Sequence, residues 1–176
     1  MKALVKAWDK TCDALKFRTL PNKLIHKPGD PTVETLKMPV WTQTQTYSCG
    51  FVATLMVLRY FHLDFKGAEE VFRDTKPDTE KGVKPGKVIK VLRDYGVQVS
   101  KREEMDFADI RDAIDAGRPI LTAVNIDEDT AHWVVIYGYG TRKKQVFIAP
   151  YSKPFVKCAK ALGWDLFRKD FWERPG

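Results

Sequence analysis

The sequence predicts an α+β fold, with helices in its first half and an antiparallel sheet in its second. Three observations carry this. Apolar residues recur at helical spacing as far as Ala116. From Pro119 onward the period becomes strand-like, with a short polar turn between two of the strand candidates. Finally, 176 residues with 44% apolar side chains are enough for a real core without metals or disulfides to staple it.

The elements follow in order. Leu4, Trp8 and Leu15 share one face of a short amphipathic helix over residues 2–16. Pro21, Pro28, Gly29 and Pro31 make residues 20–33 an irregular connection. Cys49 to His62 is apolar almost without interruption and reads as a buried helix, and Phe65 to Arg73 reads as a second one. A loop rich in Lys, Pro, Asp and Gly runs from Lys76 to Gly86. Lys87 to Tyr95 is a helix with Val88, Val91 and Leu92 on one face, stopped by Gly96. Val97 to Ser100 alternates like a strand. Asp106 caps a further helix reaching Ala116, with Phe107, Ile110 and Ile114 inward and Gly117 at its end. Strands are expected over Pro119–Asn125, Ala131–Tyr139 and Gln145–Ala149, with Gly140–Lys144 as a hairpin turn. The aromatic tail, Leu162 to Trp172, is expected to pack back as a helix. There are no internal repeats and no low-complexity segments.

Composition narrows the function classes. The net charge is 30 − 23 = +7, but the basic residues are scattered and form no nucleic-acid motif, so a solvated surface is expected and no nucleic acid partner. Cys12, Cys49 and Cys158 are an odd, low count without a CxxC pair, which argues against a disulfide framework and a zinc site. A reducing, cytoplasmic setting is the simpler expectation. The opening residues carry charges every few positions and lack a secretion signal, and no window approaches a membrane span. Asp127-Glu128-Asp129 lacks the spacing and glycine of a calcium loop and reads as a solvated turn; no metal or cofactor is implied.

The chemistry concentrates on Cys49, which stands where the buried helix begins and is followed by Gly50. Unpaired N–H groups and the positive dipole end at a helix N-terminus favour thiolate over thiol, and the thiolate is the nucleophile. Gly50 lets another backbone approach closely. A nucleophilic thiol needs a base that can later act as an acid, which histidine supplies near neutral pH. His26 lies in the Pro-rich connection and His62 ends the buried helix, so both read as structural. His132 opens an apolar strand just after Asp127–Asp129 and is the candidate base. Taken singly, Cys49 reads as a core thiol and His132 as a strand histidine; together they read as a pair. Trp41 and Trp133 flank the two positions, either lining a substrate groove or packing as core aromatics.

These features resemble the papain-like cysteine peptidases, and among them the bacterial branch of double-glycine-leader (bacteriocin-processing) peptidases. The matching pieces are Gln43 and Cys49-Gly50, six positions apart (49 − 43 = 6), and the stretch from Gly82 to Asp94-Tyr-Gly-Val97. They continue through Gly117-Arg-Pro-Ile120, His132-Trp-Val-Val135 and a Gly138-Tyr turn. The resemblance implies one domain over residues 1–176, with a helix and irregular arm to residue 40 and a catalytic core from 41. It implies Cys49 as nucleophile, His132 as base and then acid, and Gln43 with the Cys49 N–H as oxyanion donors. Gln45 is a rival for Gln43 but stands at the wrong spacing. The family orients its histidine with an Asp or Asn after the following strand, whereas this chain has Ala149-Pro150. Backbone, Tyr151 or Ser152 serving a Cys–His dyad, an acid from Asp127 or Asp129, or an impaired site are the alternatives. The activity implied is hydrolysis of a peptide bond through a thioester, after small residues such as Gly-Gly. Acyl transfer to an amine and peptide binding without cleavage are the other readings.

Overall fold

The computed structural model describes residues 31–39, 46–63, 67–125, 131–149 and 161–168. The helix expected over residues 2–16 and the tail beyond 168 lie outside these residues.

Strand β1 is Val33–Thr35, and a 3-10 turn at Thr46–Ser48 runs directly into helix α1, Cys49–Tyr60. Residues 49–58 of α1 are all buried, as a helix apolar on every side must be. Its polar Thr54 is accommodated because the hydroxyl donates to the Gly50 carbonyl at 2.7 Å. Helix α2, Ala68–Thr75, turns Val71 and Thr75 inward. Helix α3 is Pro85–Asp94, two residues earlier than the apolar pattern suggests. Pro85 sits in the first turn, where its missing N–H costs nothing. Val88, Val91 and Leu92 form its buried face, as the spacing predicts. Helix α4, Phe107–Asp115, starts with a reciprocal cap: Asp106 accepts from the Asp109 N–H at 2.9 Å, and Asp109 accepts from the Asp106 N–H at 3.0 Å. Gly96 and Gly117 end α3 and α4 in the left-handed region, with φ of +90° and +72°.

The sheet is built around one long strand. Strand β2 is Ile120–Asn125, β3 is Ala131–Gly140, β4 is Gln145–Ile148 and β5 is Ala161–Gly163, all paired antiparallel. β3 bonds to β2 over Ala131–Ile136 and to β1 over Gly138–Gly140. Its other edge bonds to β4 from Ile136 to Gly140, with a bulge between Ile136 and Gly138, and β5 adds to β4. The α+β arrangement is therefore as predicted. Helix α1 packs on β3, α2 and α3, and α4 packs on β3 beside β1 and β2. No helix among the described residues is long and apolar enough to cross a membrane.

Four expectations are corrected. Val97–Ser100 makes no ladder: Val97 and Val99 pack half-buried on the core, the Val97 N–H closes α3 on the Leu92 carbonyl, and Arg93 donates to the Val99 carbonyl. Alternation there records which side chains face inward along an extended segment, not sheet pairing. Gly138-Tyr139 is not a turn but part of β3, and the turn lies at residues 141–144. The segment from Leu162 does not begin as a helix. It completes β5, and a single helical turn, α5 (Trp164–Phe167), then buries Trp164 and Phe167. Strand β1 is the fourth, since a three-residue strand leaves no period to read.

Gly138 explains why β1 fits. A Cβ there would stand 2.6 Å from the Glu34 carbonyl oxygen and 2.7 Å from the Thr35 methyl. Replacing Gly138 with Ala should therefore cost about 1–3 kcal/mol, read as a lowered urea midpoint at unchanged slope. A midpoint equal to wild type would show that β1 does not press on β3.

Candidate active site

Cys49 is the first residue of α1 and is 5% exposed. Ser48 before it makes no side-chain cap to the helix, so the first-turn N–H groups are not consumed by one. Three backbone N–H groups face the sulfur: those of Trp133, Gly50 and Cys49 itself. The first matters most for assembly, because Trp133 directly follows His132 on β3. The thiol thus lies against the backbone of the residue next to His132, 83 positions away in sequence (132 − 49 = 83), where α1 packs on β3. His132 is buried at 4% exposure and stands opposite Val124 of β2.

Position 50 permits this approach. A Cβ on Gly50 would lie 2.7 Å from the Val83 Cβ and 2.9 Å from Cδ1 of Trp133, so a larger residue would force the elements apart. The Trp133 indole Nε1–H donates to the Val83 carbonyl at 2.9 Å. Val83 ends a small closed loop. Asp78 and Gly82 exchange backbone hydrogen bonds, both 2.9 Å, and the Asp78 carboxylate accepts from the N–H groups of Glu80 (2.9 Å) and Lys81 (2.8 Å). Those donors hold the Asp78 carboxyl below its usual range. Sequence reasoning placed Trp133 beside the site but missed Val83, whose contribution is a main-chain carbonyl and so has no residue-type signature.

The electrostatics correct one expectation. Burial pushes the Cys49 thiol above its ordinary 9.0, and the three N–H groups offset this only in part. Burial also pushes His132 down to about 4. Burial therefore pushes both the thiol and the imidazole toward their uncharged forms. The helix N-terminus acts in the anticipated direction, but desolvation outweighs it.

The remaining candidates divide simply. Gln43, Gln45 and Trp41 lie outside the described residues, as do His26, Asp127, Asp129, Tyr151 and Ser152. His62 is exposed just beyond α1 with φ of +51°, away from the Cys49 end. Ala149 is fully buried after β4, and its N–H bonds to the Val135 carbonyl at 2.8 Å. It brings only a methyl group to a position where the resemblance called for an acid or amide. Among the described residues no group of three His, Cys, Asp or Glu side chains could hold a metal ion.

The Peptidase_C39 like family matches residues 35–173. Among solved structures, the chain is similar to a double glycine motif protease from an AMS/PCAT transporter in complex with the leader peptide. That pair shares 24% identity and a TM-score of 0.52, over 68% of this chain and 78% of the other. It is also similar to the peptidase domain of Streptococcus ComA, a bi-functional ABC transporter involved in a quorum sensing pathway. There the identity is 16% and the TM-score 0.58, over 75% of this chain and 90% of the other. At these identities the likeness is one of fold. No curated protein matches the chain.

The buried imidazole predicts a pH signature. The unfolded chain takes a proton on this histidine near 6.5, whereas the folded chain resists until about 4. In that window the unfolded state binds more protons, so stability falls as pH falls. The gap corresponds to about 3 kcal/mol, full above pH 6.5 and lost by about pH 4. Urea unfolding at pH 7 and pH 4 should show this loss in wild type and its absence in His132→Gln. An equal loss in both would mean that His132 is not buried in its neutral form.

Proposed function

The chain belongs to the Peptidase_C39 like family, and from that premise we propose that it is a cysteine peptidase whose nucleophile is Cys49 and whose acid–base group is His132. The observation that carries this is the backbone N–H of Trp133 directed at the Cys49 sulfur, since it sets the strand bearing His132 against the helix bearing the thiol. A neutral imidazole is the form that can accept a proton, and at pH 7 His132 is in that form.

In the proposed reaction, the Cys49 proton passes to His132 as the sulfur bonds to the substrate carbonyl carbon. The carbonyl oxygen takes the negative charge, held by the Cys49 N–H and the Gln43 carboxamide. His132 then protonates the departing amine as the C–N bond breaks, leaving a thioester on Cys49. A water molecule, deprotonated by His132, attacks that thioester; the acid leaves and the thiol is restored. The ions formed in the first step are adjacent and of opposite sign. Their attraction in a dry site returns part of what burial costs each of them alone.

The solved relative bound to a leader peptide supports a peptide substrate, and its double-glycine designation supports small residues before the scissile bond. The second reading is a peptide-binding protein of impaired activity, favoured by the methyl group of Ala149.

Incubation with peptides carrying an internal Gly-Gly, with and without an added alkylamine, tests these readings by mass spectrometry. Cleavage is expected, with Cys49→Ala and His132→Ala each lowering kcat/KM at least about 10³-fold and Gln43→Ala about 10²-fold. An acid limb in kcat/KM is expected as pH falls through about 4, where His132 becomes charged and cannot accept a proton. An amide product with the alkylamine would assign acyl transfer. Cleavage that survives Cys49→Ala would overturn the assignment, and peptide bound but never cleaved would favour the second reading.

A further inference from the structure

The loop from Asp78 to Val83 supplies no group to the reaction, yet it touches both described elements that do, α1 and β3. Val83 is buried, and its side chain abuts Gly50 in the first turn of α1. A Cβ on Gly82 would come within 3.6 Å of the Tyr47 carbonyl, in the turn that delivers Cys49. The Val83 carbonyl accepts the indole N–H of Trp133. Trp133 is thus held at two points, by its ring to the loop and by its backbone N–H to the Cys49 sulfur. His132 is the next residue along the same strand. The peptide unit between His132 and Trp133 carries the N–H facing the sulfur, so the residue that docks on the loop is also the one that meets the thiol.

We propose that Trp133 and the closed Asp78–Val83 loop are positioning residues that fix the Cys49 sulfur relative to His132. Trp133 then serves the site as a wedge between strand, loop and helix, not as a wall of the substrate groove. The loop suits this task because its shape is determined internally. Its ends are joined by the reciprocal Asp78–Gly82 bonds, and the Asp78 carboxylate ties down the two N–H groups at its tip. Asp78 is exposed, so its side chain shapes the loop without belonging to the core. The inference rests on the Cys49–His132 reading above, and the test separates the failure of one from the failure of the other.

The test is the rate of Cys49 alkylation by iodoacetamide between pH 5 and pH 10, in a Cys12→Ser/Cys158→Ser background. His132→Ala should slow labelling and change its pH profile, which establishes the working pair. Trp133→Phe keeps an aromatic ring but loses the indole donor, and should slow labelling about tenfold with the same change in profile. Asp78→Ala, which leaves the core intact, should slow it roughly threefold at an unchanged melting temperature. Asp78→Asn keeps the oxygen that accepts from residues 80 and 81 and should restore the wild-type rate and profile. A merely structural role for the loop would move melting temperature without this rescue. If Trp133→Phe and Asp78→Ala label like wild type while His132→Ala does not, the positioning role is wrong and the pair stands. If His132→Ala also labels like wild type, the pair itself is wrong and the positioning role falls with it.

Discussion

Two side chains already fill the space that any Cβ at position 50 would need. That exclusion is the constraint on which the rest of the site depends. It brings the first turn of α1 against Trp133 closely enough for a strand N–H to reach the Cys49 sulfur. It also brings Val83 within reach of the indole, so helix, loop and strand meet around one glycine. Packing here does more than fill volume. Close-packed interiors transmit small displacements instead of absorbing them, and sulfur and imidazole must be held within fractions of an ångström to react.

The same close packing sets the electrostatics. Removing water from around Cys49 and His132 favours the uncharged form of each, and this outweighs three N–H groups and a helix terminus. In the proposed reading, such a site stays quiescent until substrate arrives, because burial works against ionisation of either partner. In the proposed reaction, chemistry begins when a carbonyl carbon is available to take the electron pair and the proton has a neutral nitrogen to go to. Ala149 adds to this picture. With no carboxylate contributed from the end of β4, nothing there raises the basicity of the imidazole.

Much of this was legible in the sequence because it was written in side chains. Helix α1 announced itself by being apolar on all sides, α3 by Val88, Val91 and Leu92, and α4 by Asp106 and Gly117. Cys49 and His132 stood out because few residue types can act as nucleophile and base. What remained hidden was written in the backbone or in burial. Strand β1 is too short for a period, and its trace is a glycine in β3 that reads as a turn. The alternation of Val97–Ser100 reports inward and outward facing, which a pairless extended segment shares with a strand. The Val83 carbonyl is common to every residue type. The push of Cys49 and His132 toward their uncharged forms depends on what surrounds them, and no local pattern encodes that.

If Cys49 and His132 act as proposed, the central position of β3 governs when the two can meet. β3 holds His132 and bonds to β1, whose partners lie 107 positions away at Val33 and Gly140 (140 − 33 = 107), and to β4, which ends at Ile148. The thiol belongs to the first third of the chain and the imidazole to a strand stabilised by residues on both sides of it. On the ribosome, Cys49 and α1 emerge long before the residues that would bring a base to them. Until β4 has been made, the central strand lacks one of its two edges, and sheet contacts this distant in sequence form slowly. In the proposed reading the nascent chain therefore carries a thiol without its base. Synthesis order thus sets the proposed nucleophile in the chain well ahead of the strand that carries the proposed base.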